Sequence, residues 1–338
     1  MKEKIGIGLI GAGRAGMIHA RNFATRVPDA KMMAVSDVAE EAAVRAATEL
    51  GISDWYPDWH KILTNSAIDA VIVVTPTKFH HEIVIEAAKA KKHILCEKPM
   101  AMNKEECQRM NEAAKTNGVN LQIGFMRRFD ANFKRAKEFV DSGAIGSIVT
   151  VKSTTHGPST PQEWMYDINK SNGPLAEVNS HDIDTLRWFT GSDAKNLYAV
   201  AGNFRCEEAR EKYPDFYDTV LMNVTMKNGM LGNIDGAQGV QYGYDAKVDI
   251  VGTKGHIAIG GLSGSTTLLY TKDKQFHGDT VKSWTNLFHE AYVNEDISFI
   301  QSIKNGIPPE VSGLDGMAVV EIVQAGNASI KTGQIIHL

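Results

Sequence analysis

Residues 5–16, IGIGLIGAGRAG, decide how the chain begins to fold. The first six form a short apolar run of the kind that makes a buried strand. Gly11, Gly13 and Gly16 then fit G-x-G-x-x-G. At a strand-to-helix turn each glycine has its own job: Gly11 permits the tight turn, Gly13 lets backbone approach a pyrophosphate, and Gly16 allows close helix–strand packing. The helix that follows aims its N-terminal amides and positive dipole end at the phosphates. Such a motif means little without its flanks. Here a helical pattern over 17–25 follows, then a second strand pattern over 31–36 that ends at Asp37. An acidic side chain at that distance accepts hydrogen bonds from ribose hydroxyls and repels a 2′-phosphate. The next residues are Val38 and Ala39 rather than an arginine, so the pattern predicts NAD in preference to NADP. The plainer reading of Asp37 is a cap for the helix beginning at Glu40 and Glu41, and one carboxylate can do both.

Strand and helix patterns keep alternating: a helix over 40–50, a turn-rich stretch around Tyr56-Pro57-Asp58, an apolar strand over 70–74, a helix over 82–91, a strand over 93–96, a helix over 104–116 and a strand over 120–124. This grammar predicts an α/β, doubly wound parallel sheet of Rossmann type in a domain over 1–124. Ligands in such sheets lie beyond the carboxyl ends of the strands. Cofactor contacts are therefore expected from Gly11, Gly13, Arg14, Ala15, Gly16 and Asp37, from Thr75, Pro76 and His80, and from Glu97 and Lys98.

After about residue 125 the pattern changes. A helix over 133–142 leads into alternating runs at 148–155, 197–202, 219–226, 230–237, 247–251, 256–259 and 266–270. Asn228-Gly229 is a hairpin signal, and Gly252 to Gly255 mark a second turn. An α+β domain over 125–338 is expected, with a large, mostly antiparallel open sheet. Helices would cover one face and leave the other for subunit contact. Two helical patterns close the chain, at 283–305 and 314–331. Between the strands, LAEVNSHDIDTLRWFTG at 175–191 reads as one amphipathic helix that puts Glu177 and His181 a turn apart on one face. A carboxylate there can raise the basicity of the imidazole and orient it, which suits a general base near neutral pH. A solvated ion pair is the commoner meaning of that spacing.

Composition narrows the class. A formal net charge of −4 gives no electrostatic footprint for nucleic acid or an acidic membrane. No apolar run approaches the ~20 residues a membrane helix needs. A strand beginning at Ile5 leaves no room for a secretory signal, and Cys96, Cys107 and Cys206 are odd in number without metal-ligand spacing. Reduced thiols in a cytoplasmic protein without a metal are expected.

GAGRAG, Asp37, Glu97-Lys98-Pro99 and the Glu177/His181 segment, in this order, resemble the glucose–fructose oxidoreductase/inositol dehydrogenase/MocA (Gfo/Idh/MocA) family over essentially the whole chain. Within it the sequence is most similar to myo-inositol 2-dehydrogenases. The further stretches are GFMRRFD at 124–130, YGYD at 242–245, SGLDG at 312–316, and Trp284 with Phe288, Ala291 and Tyr292. The resemblance implies that Lys98 is the catalytic lysine, preceding a peptide bond to Pro99 that is often cis. It implies that His181 accepts the hydroxyl proton, and that His156 lines the substrate pocket with Arg127, Tyr242, Trp284 and Tyr292 as further candidates. The implied activity is NAD-dependent oxidation of a secondary hydroxyl on an inositol-like cyclic polyol by a homo-oligomer, a tetramer or dimer. Relatives carry Asp four residues before the histidine, where this chain has Glu177. The longer arm re-aims a substrate hydrogen bond, which makes a pyranose or glycoside the alternative substrate. A glycosidase using NAD transiently and a non-catalytic nucleotide-binding regulator are the more distant alternatives. The plainer readings are a sheet-surface His156, a packed helix face for Trp284 and Tyr292, and a structural hydrogen bond for His19.

Overall fold

The computed structural model describes residues 3–273 and 276–338, which form two compact units. The first holds the chain up to Phe129 together with Glu290–Val320; the second holds Asp130–His289 and Glu321–Leu338. A single boundary at 124/125 misses the return of Glu290–Val320 to the first unit.

In the first unit β1 (Ile5–Ile10), β2 (Ala30–Ser36), β3 (Asp54–Tyr56), β4 (Ala70–Val73), β5 (His93–Cys96) and β6 (Leu121–Ile123) alternate with α1 (Arg14–Thr25), α2 (Glu40–Leu50), α3 (His60–Thr64), α4 (His80–Lys89) and α5 (Lys104–Asn117). The strands pair in parallel in the order β3-β2-β1-β4-β5-β6. The order reverses between β1 and β4, so the ends of these two strands, Gly11 and Val74-Thr75, frame the switch point. β3 occupies the stretch read as turn-rich; at three residues it is too short to show a period. Ile7, Leu9, Ile72 and Leu95 are fully buried against Ala20 and Phe23 of α1, which is why the central strands read as unbroken apolar runs.

The second unit runs α6 (Ala131–Asp141), β7 (Ile148–Gly157), α7 (Glu163–Tyr166), α8 (Ile168–Ser171), α9 (Gly173–Glu177), α10 (Ser180–Thr190), β8 (Ala194–Gly202), β9 (Thr219–Met226), β10 (Leu231–Gln238), β11 (Asp245–Gly252), β12 (His256–Gly260), β13 (Ser263–Tyr270), β14 (Phe276–Thr280) and α11 (Trp284–Leu287). Then come α12 (His289–Asn305), α13 (Gly313–Thr332) and β15 (Ile336–His337). Seven strands form one sheet in the order β12-β11-β7-β10-β9-β8-β15, while β13 and β14 pair separately. The large sheet is mixed: β7 and β10 run parallel, and its other pairings are antiparallel. Gly229, at φ 88°, turns the chain between β9 and β10 as its Asn-Gly signal predicts.

Strand alternation sorts this sheet into two faces. One is buried, with Val220, Met222, Ile234 and Ile250 among its residues, and meets α10 through β7 and β10. The other exposes Tyr198, Val200, Leu221, Leu231 and Val251 by 39–49%.

Candidate active site

The glycine turn is shaped by sterics. Gly11 sits at φ 102°, and a Cβ there would lie 2.4 Å from the carbonyl oxygen of Val74. A Cβ on Gly16 would lie 2.0 Å from the carbonyl oxygen of Gly11, so turn and helix are in contact. Gly13 is the opposite case: a Cβ would meet nothing within 4 Å. It caps α1 without a side-chain bond, and no acidic residue stands in the first turn. The leading amides of α1 therefore face outward as a ready anion site. A depression of about 470 Å³ lined by Ala12, Gly13, Arg14, Met17, Arg45 and Glu49 opens beside the turn; Ala15 is half-buried next to it.

Asp37 closes the other side. Its Oδ2 accepts from the Ala12 amide at 2.8 Å and its Oδ1 from the Ala39 amide at 2.9 Å. It thus ties the end of β2 to the glycine turn. Ala39 itself is the N-cap of α2, so the capping reading holds only as a side-chain turn before the helix. Each carboxylate oxygen keeps a lone pair for a ribose hydroxyl.

At the ends of β4 and β5, Thr75 Oγ1 is buried without a hydrogen-bond partner among the described residues, and Pro76 is exposed. A buried polar atom with nothing to bind fits a cofactor contact. The His80 imidazole lies between two carbonyl oxygens, with Nε2 at 2.8 Å from Thr75 and Nδ1 at 2.9 Å from Pro99. Burial holds its pKa below the ordinary histidine value. His80 is thus a brace between two loops, 1% exposed, rather than an open contact. The Lys98–Pro99 bond is cis, as the resemblance implied. Lys98 is half-buried, and its amide donates to Glu97 Oε2 at 3.0 Å.

The stretch 175–191 is not one helix. α9 ends at Glu177, Val178 and Asn179 form a turn in which Asn179 leaves helical geometry, and α10 starts at Ser180. The Val178 and Asn179 amides both donate back to Pro174, at 2.9 and 3.1 Å. Glu177 and His181 consequently belong to two helices, one half-buried and one 7% exposed. The break has one local and one tertiary cause. Asn179 is drawn inward to donate from Nδ2 to Asp182 Oδ2 at 2.8 Å, and Gly236 of β10 presses on its amide, where a Cβ would come within 2.2 Å.

Asp182, absent from the sequence reading, anchors α10. Its buried carboxylate also accepts from Ser153 Oγ at 2.6 Å and Thr155 Oγ1 at 2.9 Å, both on β7. The signal was available, since Ser153 and Thr155 share one face of a strand by their spacing. His156, next in line, points to the other face. There its Nε2 lies 2.9 Å from Asp235 Oδ1 and its Nδ1 bonds the Tyr242 hydroxyl. Within the second unit the structure does not bring His156 and Tyr242 to α10; the sheet-surface reading describes them.

Of the other candidates, Arg127 is 2% exposed in the first unit. Trp284 opens α11 whereas Tyr292 lies in α12, so the two do not share a helix face. Tyr292 is buried edge-on against His19, 5.3 Å between ring centres.

His19 has more than a structural hydrogen bond. Its Nδ1 is 2.6 Å from Asp296 Oδ1 and its Nε2 is 3.0 Å from Glu97 Oε1, all buried. Asp296 also accepts from Asn22 Nδ2 at 2.9 Å. Glu295 is fully buried beside them, and its carboxyl oxygens have no hydrogen-bond partner among the described residues. Burial and the neighbouring Glu97 push the Glu295 pKa well above the usual carboxylic range. Although burial opposes it, the two flanking carboxylates raise the pKa of His19 well above its ordinary value.

Comparison with known proteins agrees with this geometry. Residues 5–125 match the model of an oxidoreductase family with an NAD-binding Rossmann fold, and residues 133–258 match the GFO/IDH/MocA C-terminal domain. The chain is 34% identical to a myo-inositol 2-dehydrogenase of Thermotoga maritima over 98% of both chains. It is also 34% identical to a scyllo-inositol 2-dehydrogenase (NAD(+)) of Bacillus subtilis, covering all of this chain and 97% of that one. A scyllo-inositol dehydrogenase from Lactobacillus casei with bound NAD(H) and scyllo-inositol superposes with a TM-score of 0.90 at 26% identity, covering 99% of each chain.

Proposed function

Because the chain belongs to the Gfo/Idh/MocA oxidoreductase family, we propose that it oxidises a secondary hydroxyl of an inositol-like cyclic polyol, reversibly and with NAD. The observation that carries the reading is the joint presence of the open glycine turn, Asp37 and Lys98 in the first unit with the Asp182-anchored His181 in the second. NAD supplies the hydride acceptor when bound. Gly13, the leading amides of α1 and Thr75 would hold it, with Asp37 on the ribose.

His181 is assigned the hydroxyl proton and Lys98 the charge that develops on the substrate oxygen. Glu177 is assigned a neighbouring hydroxyl. A site that binds several hydroxyls rejects deoxy analogues strongly, because each missing group strands a buried partner. Arg127, Trp284, Tyr292, His156 and Tyr242 stay substrate candidates on the resemblance alone.

One observation favours a second reading. Glu177 carries one methylene more than the Asp that the resemblance places there, so its reach differs. This supports a pyranose or glycoside oxidised at a ring carbon as the alternative substrate. Following absorbance at 340 nm with NAD across inositols, hexoses and glycosides tests both; no NADH from any of them would end both readings.

The apolar open face supports a homo-oligomer, a tetramer or dimer. Among the described residues no helix is long and apolar enough to cross a membrane. A cytoplasmic location is part of the same proposal.

A further inference from the structure

The buried groups around His19, which meet the candidate set through Tyr292, end on the backbone of Lys98. Both ring nitrogens of His19 face carboxylates, Asp296 on α12 and Glu97 after β5. With Asp296 and Glu97 ionised, each only accepts, so the ring donates twice as an imidazolium, although burial raises the Asp296 pKa. Glu97 uses its other oxygen to hold the Lys98 amide at 3.0 Å. Gly124 backs the Glu97 carboxyl so closely that a Cβ there would lie 2.9 Å from Cδ. Glu97 is therefore clamped on three sides.

A cation site is the rival use of these groups, since His19, Glu97 and Glu295 bring one nitrogen and two carboxyl groups within 4.8 Å. With both of its ring nitrogens donating to carboxylates, His19 has no lone pair left for a metal.

We infer that Asp296, His19 and Glu97 form a positioning chain that fixes the main chain of Lys98 for hydride transfer. This deepens the proposed function and rests on the role given there to Lys98. Its physical logic is orientational. The Lys98 side chain can meet a developing alkoxide only if the backbone beneath it is fixed, and small misplacements of a catalytic group cost large factors in rate. Asp296 sets the protonation and direction of the ring, and the ring holds Glu97. α12, nearly two hundred residues further along the chain, thereby determines where a loop of the first unit points.

The test is a double-mutant cycle with Lys98→Ala. His19→Gln should lower kcat about tenfold or more while changing KM for NAD by less than about threefold. In the Lys98→Ala background the same substitution should change kcat by less than about twofold, because the group being positioned is gone. A merely structural histidine would slow both backgrounds by the same factor, and that result overturns the inference while leaving Lys98's role intact. Near-normal kcat in Lys98→Ala alone would remove Lys98's role and this chain with it. Should His19→Gln not fold, Asp296→Asn carries the same cycle with a smaller expected effect.

Discussion

Replacing Asp182 by alanine and by asparagine separates the anchoring of α10 from its packing. In the wild type three buried donors, Ser153 Oγ, Thr155 Oγ1 and Asn179 Nδ2, converge on one carboxylate. Hydrogen bonds to a charged group contribute about 1.5–3 kcal/mol each, and a stranded buried donor costs about 1–3 kcal/mol. The two hydroxyls can rotate toward other acceptors, whereas the Asn179 amide has little room beside Gly236. Asp182→Ala should then lower unfolding free energy by about 3–5 kcal/mol. Asp182→Asn should cost only about 1 kcal/mol. Its oxygen still accepts from β7, and Asn179 can flip in place to present Oδ1, which has no partner among the described residues, to the new amide. Urea unfolding followed by the fluorescence of Trp188 on α10 measures both, with kcat recorded on the folded proteins. Because His181 is adjacent, kcat should fall in the same order, alanine far below asparagine. Equal stabilities for the two variants, or an alanine variant within about 1 kcal/mol of wild type, would show that these bonds do not hold the helix.

His181→Ala and Lys98→Ala should each lower kcat roughly a hundredfold with NAD affinity nearly unchanged, as isothermal titration can verify; near-normal turnover by a folded His181→Ala protein would dismiss the general-base assignment. Glu177→Asp should change KM and the ranking of polyols more than kcat. Asp37 predicts a kcat/KM for NAD at least about a hundredfold above that for NADP, and parity between them would mean that the carboxylate does not face the ribose. Glu295 has a raised folded pKa, so its contribution to stability is full below the unfolded carboxylic pKa and is lost as pH rises toward the folded value. Glu295→Gln should remove that dependence, gaining on the wild type by about 1.4 kcal/mol per pH unit above pH 5, read from denaturation curves at pH 5, 6.5 and 8; parallel curves for the two proteins would refute a neutral Glu295. The exposed face of the mixed sheet predicts a dimer or tetramer in light scattering, and Leu221→Lys should shift it toward monomer. A monomeric wild type at micromolar concentration would leave that face without its partner.

What was legible in the sequence was whatever a local period could encode. β1, β4 and β5 announce themselves as apolar runs because both faces of a parallel sheet are covered, and the glycine turn is fixed by its neighbours. Three kinds of feature escaped. β3 and β15 are too short for a period, and β14 begins beside residues outside the described set. The break at Val178-Asn179 opposes a helical pattern that continues on paper, because the close approach of Gly236 from β10 is tertiary and adds to the local bond from Asn179 to Asp182. The parallel pairing of β7 with β10 depends on which strands meet, which alternation does not encode. The site divides in the same way. Gly11, Gly16 and Asp37 could be read from spacing, whereas Asp182 and the partners of His19 emerge only when distant segments come together.

The division of the first unit into two pieces of chain bears on how the protein is made. The six parallel strands leave the ribosome within the first 123 residues, but Asp296 follows about 170 residues later. At roughly 5–20 residues per second that is an interval of about 10–30 s. During it His19 and Asn22 lack Asp296, and the surface that α12 will cover, including the contacts of Phe299 and Ile300 with the core, is open. The second unit, encoded mostly within that interval, can pair β7 to β12 before the first is finished, and adds β15 last. The first unit cannot complete its core until the ribosome has passed α12. A nonsense codon between β6 and α12 would leave a Rossmann sheet with one flank uncovered, a substrate for proteolysis rather than a smaller working domain.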